Sequence, residues 1–194
     1  MRKRLGRKFY SRNTLLVAKS LLGKYLVRKI RGKELVGKIV ETEAYIGPAD
    51  KASHAFNGRK TERSKTVYLE PGHIYIYLCY GMYWQFNITT KDEGKPECVL
   101  LRALEPTFKE QKDISELRKL GSGPGKLCRW MNLDKSFNEE DLTISKRIWV
   151  EDRGEKIKPS QVISTARVGI DYAGSWAKKP WRFYVAGNKF VSRK

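Results

Sequence analysis

Two carboxylates in one short stretch are the residues of this chain best suited to chemistry. Glu41 and Glu43 are two positions apart, so on a β-strand they point the same way, about 7 Å from each other. The residues around them, 36–40 and 44–46, are largely apolar. A carboxylate among apolar groups costs free energy unless it has a partner or a task. Either this is a solvated strand face, or at least one carboxylate is a catalytic acid or base.

Aromatic residues that could act together with these carboxylates lie later in the chain. Tyr75 and Tyr77 share one face of an apparent strand, where they either pack in the core or form a stacking wall for a nucleic-acid base. Tyr80 lies at a bend beside Gly81, and an aromatic there suits a wedge between base pairs. Asn87 is either a structural amide or a reader of a base edge.

Alternating and helical hydrophobic spacings predict the elements that position these side chains. Strands are predicted at 25–30, 34–42, 74–79, 82–89 and 98–104, with Glu43 at or just past a strand end before Gly47-Pro48. Helices are predicted at 11–22 (capped by Ser11), near 48–55, at 109–120 and from the Gly121–Lys126 loop to 131. This order predicts a mixed α+β fold in a single domain, 1–194, with flexible basic ends at about 1–8 and 189–194.

The charge is concentrated at the two ends of the chain. The 194 residues carry a net charge of +19, from 40 basic and 21 acidic side chains. Residues 1–33 and 172–194 hold 18 Lys or Arg and no acid, which leaves a nearly neutral middle. This asymmetry favours a polyanionic partner such as nucleic acid. The alternative explanation of the charge is a Lys-rich surface that contacts only solvent.

Metal and cofactor signals are weak. The three cysteines, Cys79, Cys98 and Cys128, form no C-x-x-C, and the two histidines form no H-E-x-x-H, so we expect no metal. The Gly121–Lys126 loop is not a Walker A motif because Leu127 follows the lysine. Either Lys126 contacts a phosphate, or the loop is a plain turn at the start of a helix.

No apolar run approaches membrane-spanning length, and the charged N-terminus lacks a signal h-region, so we expect an intracellular protein.

Several motifs resemble the alkyladenine (3-methyladenine) DNA glycosylase family. They run from about Arg4 to Ser192 and comprise 40–48 (VETEAYIGP), His54, 75–83 (YIYLCYGMY), Asn87, 98–106 (CVLLRALEP), 123–128 (GPGKLC), 167–170 (RVGI) and 179–184 (KPWRFY). Six motifs in order make the resemblance specific.

The resemblance implies a curved antiparallel sheet with a protruding β-hairpin, unlike helix-hairpin-helix glycosylases. It implies a cofactor-free, monomeric, monofunctional enzyme that acts on double-stranded DNA containing damaged purines and leaves an abasic site, in the cytoplasm of a prokaryote or the nucleus of a eukaryote. The roles it implies are Glu43 as general base; Tyr45, His54, Tyr77, Asn87 and Arg102 as base pocket; Tyr80, Met82 and Tyr83 as intercalating group; and Lys126, Arg59, Arg63 and Arg182 as DNA-backbone contacts.

The chain departs from the family pattern near the pocket. Ser64 replaces the Asn of a Thr-x-Arg-Asn loop, Val67 stands where Met is common, and Gln85-Phe86 also varies. These departures affect the substrate range rather than the reaction. Two alternatives stay open: a non-catalytic binding module for damaged or single-stranded nucleic acid, and a bifunctional glycosylase with a lysine-dependent lyase activity.

Overall fold

The computed structural model describes residues 2–107 and 113–193. Within these ranges the chain forms one domain of mixed α and β structure, as predicted. Its nine strands all pair antiparallel in a single sheet: β1 Lys3–Arg4, β2 Tyr25–Ile30, β3 Lys33–Ile46, β4 Ile74–Cys79, β5 Tyr83–Thr90, β6 Glu97–Pro106, β7 Ile148–Asp152, β8 Val162–Thr165 and β9 Arg182–Val185. The α-helices are α1 Arg7–Tyr10, α2 Thr14–Leu21, α3 Ile114–Gly121 and α4 Pro124–Trp130. Single 3-10 turns or short runs lie at Phe56–Gly58, Lys65–Tyr68, Lys135–Phe137, Pro159–Gln161 and Asp171–Lys178.

Strand β3 organises the sheet because it pairs with three others. β6 follows one edge, while the other edge pairs first with β2 and then, at 41–43, with β9. The register against β6 shifts at Glu41, as at a β-bulge. The hydroxyl of Thr42 donates to the Ala18 carbonyl of α2 at 3.0 Å, so α2 covers the opposite face from the one that holds Glu41 and Glu43.

The prediction that Glu43 lies at a strand end is wrong. β3 continues through Ile46, because residues 44–46 pair with residues 97–99 of β6. Glu43 therefore lies inside a paired strand, with neighbours on both edges, and its side chain is fully buried. The strand does end before Gly47-Pro48, as predicted.

The predicted helix boundaries need three corrections. Helix α2 begins at Thr14, not after Ser11, because the Asn13 side chain accepts hydrogen bonds from Leu15 N and Leu16 N at 3.1 and 3.2 Å. Residues 48–55 form turns rather than a helix. The helix predicted at 109–120 begins at Ile114 behind an Asp113 cap, and residues 108–112 lie outside the described ranges.

The hairpin β4–β5 forms where the sequence predicts it. Tyr80 and Gly81 have φ of 52° and 69°, and Met82 N donates to the Cys79 carbonyl at 3.1 Å. Glycine adopts this left-handed conformation without steric cost, whereas tyrosine at the same turn is unusual. The turn therefore fixes the direction of the Tyr80 side chain.

The basic ends of the chain make specific contacts. Strand β1 pairs with β7, and Arg7 donates to Asp141 at 2.5 Å and to the Pro71 carbonyl at 2.8 Å. At the other end Phe190 and Val191 are buried. Each helix within the described ranges is too short or too polar to traverse a lipid bilayer.

Candidate active site

The Glu43 carboxylate is buried, and both of its oxygens are hydrogen-bonded. Oε1 accepts a hydrogen bond from Val168 N at 2.8 Å and lies 3.4 Å from Arg102 Nη1. Oε2 accepts from the Tyr45 hydroxyl at 2.9 Å. These donors stabilise the negative charge, and each carboxylate oxygen can accept more than one hydrogen bond. The Glu43 carboxylate is thus fixed in place by contacts with Tyr45, Arg102 and Val168.

Glu41 belongs to a different group, which we call the anchor cluster: Glu41, Arg102, Arg182 and Ser192. Glu41 Oε1 accepts from Arg102 Nε at 3.0 Å and from Arg182 Nη1 at 2.8 Å. Its Oε2 accepts from Ser192 N at 2.7 Å. Burial acts to lower the pKa of Arg102, but Glu43 and Glu41 raise it by more, so Arg102 stays charged. Both oxygens of Glu41 are therefore bonded inside the anchor cluster.

The anchor cluster corrects one predicted role. Arg182 was expected to contact the DNA backbone, but its side chain is only 6% exposed. Besides Glu41, it donates to the carbonyls of Ala166 and Arg193 at 3.1 and 2.8 Å. Its guanidinium is thus engaged by Glu41 and by two main-chain carbonyls, which directs it into the anchor cluster rather than outward.

A second buried ion pair supports the site, and the residue pattern did not single it out. Arg167 bonds Asp50 through two nitrogens, at 2.5 and 2.8 Å, and donates to the Ala44 carbonyl at 2.9 Å. Its guanidinium also lies 4.7 Å from the Tyr45 ring centroid. Arg167 therefore fixes both the segment that presents Val168 N and the ring that bonds Glu43. The motif at 167–170 is the only sequence signal for this role.

Aromatic side chains form one wall beside Glu43. His54 Nδ1 lies 2.7 Å from the Tyr75 hydroxyl, and the His54 ring is 4.6 Å from that of Tyr77. Tyr75 and Tyr77 are 5.1 Å apart and tilted by 38°. Burial, and then the charges of Arg63 and Arg59, lower the pKa of His54 to about 4. Burial and the Glu43 charge raise the pKa of Tyr45, so these wall residues are neutral near pH 7.

These residues enclose a cleft of about 430 Å³, a volume typical of ligand sites. It is lined by Tyr45, Ala52, His54, Arg63, Tyr77, Cys79, Tyr80, Gln85, Leu100, Arg102, Val168, Gly169, Ile170 and Tyr172. Deeper in, a slot of about 20 Å³ has room for a single water. The structure thus brings together Tyr45, His54, Tyr77 and Arg102, and it adds Tyr172, which is 73% exposed and which the sequence reasoning did not select.

Asn87 and Val67 line the slot, not the wide part of the cleft. Asn87 is buried, and its Nδ2 donates to the carbonyls of Tyr75 and Gln85 at 3.1 and 3.2 Å. Because both bonds are to main chain of the hairpin, the orientation of the amide is fixed. Asn87 therefore presents a fixed side chain to the slot.

The predicted intercalating residues divide into two groups. Tyr80 and Met82 are 85% and 66% exposed at the hairpin tip. Tyr83 instead packs against α4, where a Cβ at Gly125 would lie 2.8 Å from the Tyr83 ring. Only Tyr80 and Met82 thus project freely.

Three of the basic residues predicted to contact DNA lie at the surface. Arg59, Arg63 and Lys126 are all exposed. The Arg63 guanidinium lies 4.8 Å from the Tyr77 ring centroid and donates to the Leu78 carbonyl at 3.1 Å. Arg63 therefore forms part of the cleft rim, next to the aromatic wall.

The sequence pattern of one protein family matches most of the chain. The family described as Methylpurine-DNA glycosylase (MPG) matches residues 8–189. The chain belongs to this family, so the predicted resemblance is confirmed. It is an enzyme, a hydrolytic DNA glycosylase of DNA repair, and its partner is DNA.

Relatives match over their full length. A protein of Clostridium tetani (strain Massachusetts / E88), named "Putative 3-methyladenine DNA glycosylase", is 47% identical over 98% of this chain and 100% of its own. A protein of Desulfitobacterium hafniense (strain Y51) with the same name is 44% identical over 99% of this chain and 100% of its own. A third, from Clostridium perfringens (strain SM101 / Type A), is 44% identical over 98% and 100%.

Proposed function

We propose that this protein excises alkylated or deaminated purines, such as 3-methyladenine, hypoxanthine and ethenoadenine, from duplex DNA. It flips the damaged nucleotide into the cleft and hydrolyses the N-glycosidic bond with a water activated by Glu43, which leaves an abasic site. The observation that carries this proposal is the buried Glu43 carboxylate, held by Tyr45, Val168 and Arg102, which all line the cleft.

The reaction follows from the position of this carboxylate. The bond between C1′ and the base nitrogen breaks, its electron pair leaves with the base, and the sugar becomes oxocarbenium-like. Water adds to C1′ and gives a proton to Glu43. A base that leaves as an anion, as hypoxanthine does, takes up a proton from solvent, and Glu43 releases its proton to solvent before the next turnover. Because Glu43 has no exposed surface, this water enters where Tyr45, Arg102 and Val168 meet at the cleft wall. The negative charge of Glu43 also stabilises the developing positive charge on the sugar.

The aromatic wall selects bases that are easily released. Tyr45 and Tyr77 offer ring faces for stacking, and an alkylated purine such as 3-methyladenine is cationic and gains cation–π attraction there. A damaged base is also easier to unpair than a normal one. In this proposal Asn87, at the slot, crowds the exocyclic amino group of guanine.

The hairpin tip serves as the wedge that keeps the nucleotide flipped. Tyr80 and Met82 project from a turn of fixed geometry, and the gap left by a flipped base needs an apolar filler. Exposed Arg59, Arg63 and Lys126 contact the flanking phosphates. The enzyme acts as a monomer inside the cell, where its DNA substrate lies.

A monofunctional mechanism fits the cleft better than a lyase does. Among the described residues that line the cleft, the cations are Arg63 and Arg102, whose guanidinium groups do not form Schiff bases. Lys51 lines a neighbouring cavity of about 330 Å³ instead. Water, rather than an amine, is therefore the nucleophile.

A panel of lesion-bearing duplexes tests the proposal. Duplexes with 3-methyladenine, 7-methylguanine, hypoxanthine or 1,N6-ethenoadenine are incubated with the protein, with undamaged DNA as control, and base release is measured. We expect release from at least one damaged duplex by the wild type and none by Glu43→Gln, which should still bind. Absence of release from every damaged duplex by the wild type would reject the proposal. Borohydride trapping of a covalent protein–DNA adduct would reject the monofunctional mechanism.

A further inference from the structure

The segment Phe190–Arg193, which we call the strap, lies against the anchor cluster. Phe190 and Val191 are 6% and 3% exposed. Phe190 packs in a small apolar cluster with Val40 of β3 and Ala103 of β6. Apolar burial thus fixes the strap beside the two strands that carry Glu41 and Arg102.

The next two residues of the strap contribute polar groups to the anchor cluster. Ser192 N donates to Glu41 Oε2 at 2.7 Å, and Ser192 Oγ accepts from Arg102 Nη2 at 3.3 Å. The Arg193 carbonyl accepts from Arg182 Nη1 at 2.8 Å. Ser192 therefore contacts both Glu41 and the arginine that reaches Glu43.

These contacts hold the Arg102 guanidinium at all three of its nitrogens. Nε bonds Glu41, Nη1 lies near Glu43, and Nη2 bonds Ser192 Oγ. A guanidinium is planar and rigid, so three contacts around its plane fix its orientation. Loss of the Nη2 contact leaves the group free to tilt about its bond to Glu41. The position of Nη1 beside Glu43 then becomes variable.

We infer that Ser192 is a positioning residue for base release, acting through Arg102 on Glu43. This inference rests on the function proposed above. Ser192 does not line the cleft, and its own hydroxyl meets Arg102 rather than a reactant. It acts on the rate of hydrolysis by keeping the cation at a constant distance from the carboxylate.

The first test is kinetic. We compare wild type, Ser192→Ala, Ser192→Thr and Arg193→Ala in single-turnover base release at saturating enzyme, and measure the Kd for lesion DNA separately. Ser192→Ala should release base about 5- to 10-fold more slowly, the worth of one hydrogen bond of roughly 1 kcal/mol, with Kd unchanged. Ser192→Thr keeps the hydroxyl and should restore most of the rate. Arg193→Ala should keep the wild-type rate, because only the main-chain carbonyl of Arg193 bonds Arg182.

The outcomes separate positioning from simple structural support. A structural role alone lowers the melting temperature but leaves the rate per folded molecule unchanged, and that result in Ser192→Ala would overturn the inference. An equal loss in Ser192→Thr and Ser192→Ala would also overturn it.

The second test does not depend on activity. Nitrogen NMR of the Arg102 side chain reports how freely its guanidinium rotates. We expect restricted rotation in wild type and in Arg193→Ala, and faster rotation in Ser192→Ala. Identical Arg102 dynamics in wild type and Ser192→Ala would reject the positioning role, whatever the protein acts on. A wild type that releases no base but shows the expected change in dynamics would reject the proposed function alone.

Discussion

Two carboxylates on one strand, Glu41 and Glu43, have the same burial but different neighbours. Glu41 bonds two arginines and a main-chain amide, at 2.7–3.0 Å. Glu43 bonds a phenol and a main-chain amide, and its one arginine contact is longer, at 3.4 Å. The charge of Glu41 is thus fully compensated inside the domain, whereas the charge of Glu43 is held mostly by neutral donors. The second arrangement fits the proposed role of Glu43, which is to accept a proton from water.

Arg102 contacts both carboxylates, but through different nitrogens. It is anchored through Nε to Glu41 and reaches Glu43 with Nη1. In the proposed mechanism the anchor cluster therefore holds the geometry, and the residues of the cleft carry out the chemistry. Variants of each region should separate stability from activity, and the following four range from the largest expected effect to the smallest.

Glu43→Gln should slow base release by about 10²- to 10⁴-fold, the usual contribution of a general base. The amide retains one carbonyl acceptor and a similar volume, so the melting temperature should change little. Single-turnover kinetics and a thermal melt check both parts. A rate within a factor of three of wild type would assign the chemistry to another residue and remove the contrast with Glu41.

Glu41→Gln should lower the free energy of unfolding by about 3 kcal/mol, because it leaves Arg102 and Arg182 without their shared charged partner. Chemical denaturation monitored by tryptophan fluorescence measures the loss. The residual activity per folded molecule should exceed that of Glu43→Gln. If Glu41→Gln is as stable as wild type and equally inactive as Glu43→Gln, the two carboxylates act together and the distinction between them fails.

Tyr80→Ser should slow excision from duplex DNA by roughly tenfold, since the flipped state loses its apolar filler. Because Tyr80 is 85% exposed, the melting temperature should stay the same. Single-stranded substrate gives the internal control, as no base pair must be opened there. Equal slowing on single-stranded DNA would place Tyr80 in the chemistry of the cleft rather than in flipping.

His54 should give the smallest effect, on pH dependence. Its pKa is lowered from 6.5 to about 4 in the folded protein, so the unfolded chain binds more protons between these values. The His54 contribution to stability is complete above pH 6.5 and is lost progressively as the pH falls toward 4. NMR titration of the two histidine rings, with His73→Gln used for assignment, measures the pKa directly. A His54 pKa near 6.5 would show that the cleft wall is not a desolvated, neutral surface.

The sequence alone determined those features that depend on neighbouring residues. The hairpin bend at Tyr80-Gly81 follows from a residue tolerant of positive φ between two alternating strands. The family follows from motifs that are each contiguous in the chain. The ranking of Glu43 above Glu41 as the catalytic carboxylate followed from the resemblance, and it stays a prediction.

Only the tertiary structure decided what surrounds each carboxylate. Glu41 bonds residues 61, 141 and 151 positions away, and Glu43 bonds an amide 125 positions away. The pairing of β3 on both edges also decided that Glu43 lies within the strand. Local periodicity describes which face a side chain takes, but the donors on that face come from distant segments. For that reason Arg182, Ser192 and the Asp50–Arg167 pair could be assigned only from the folded chain.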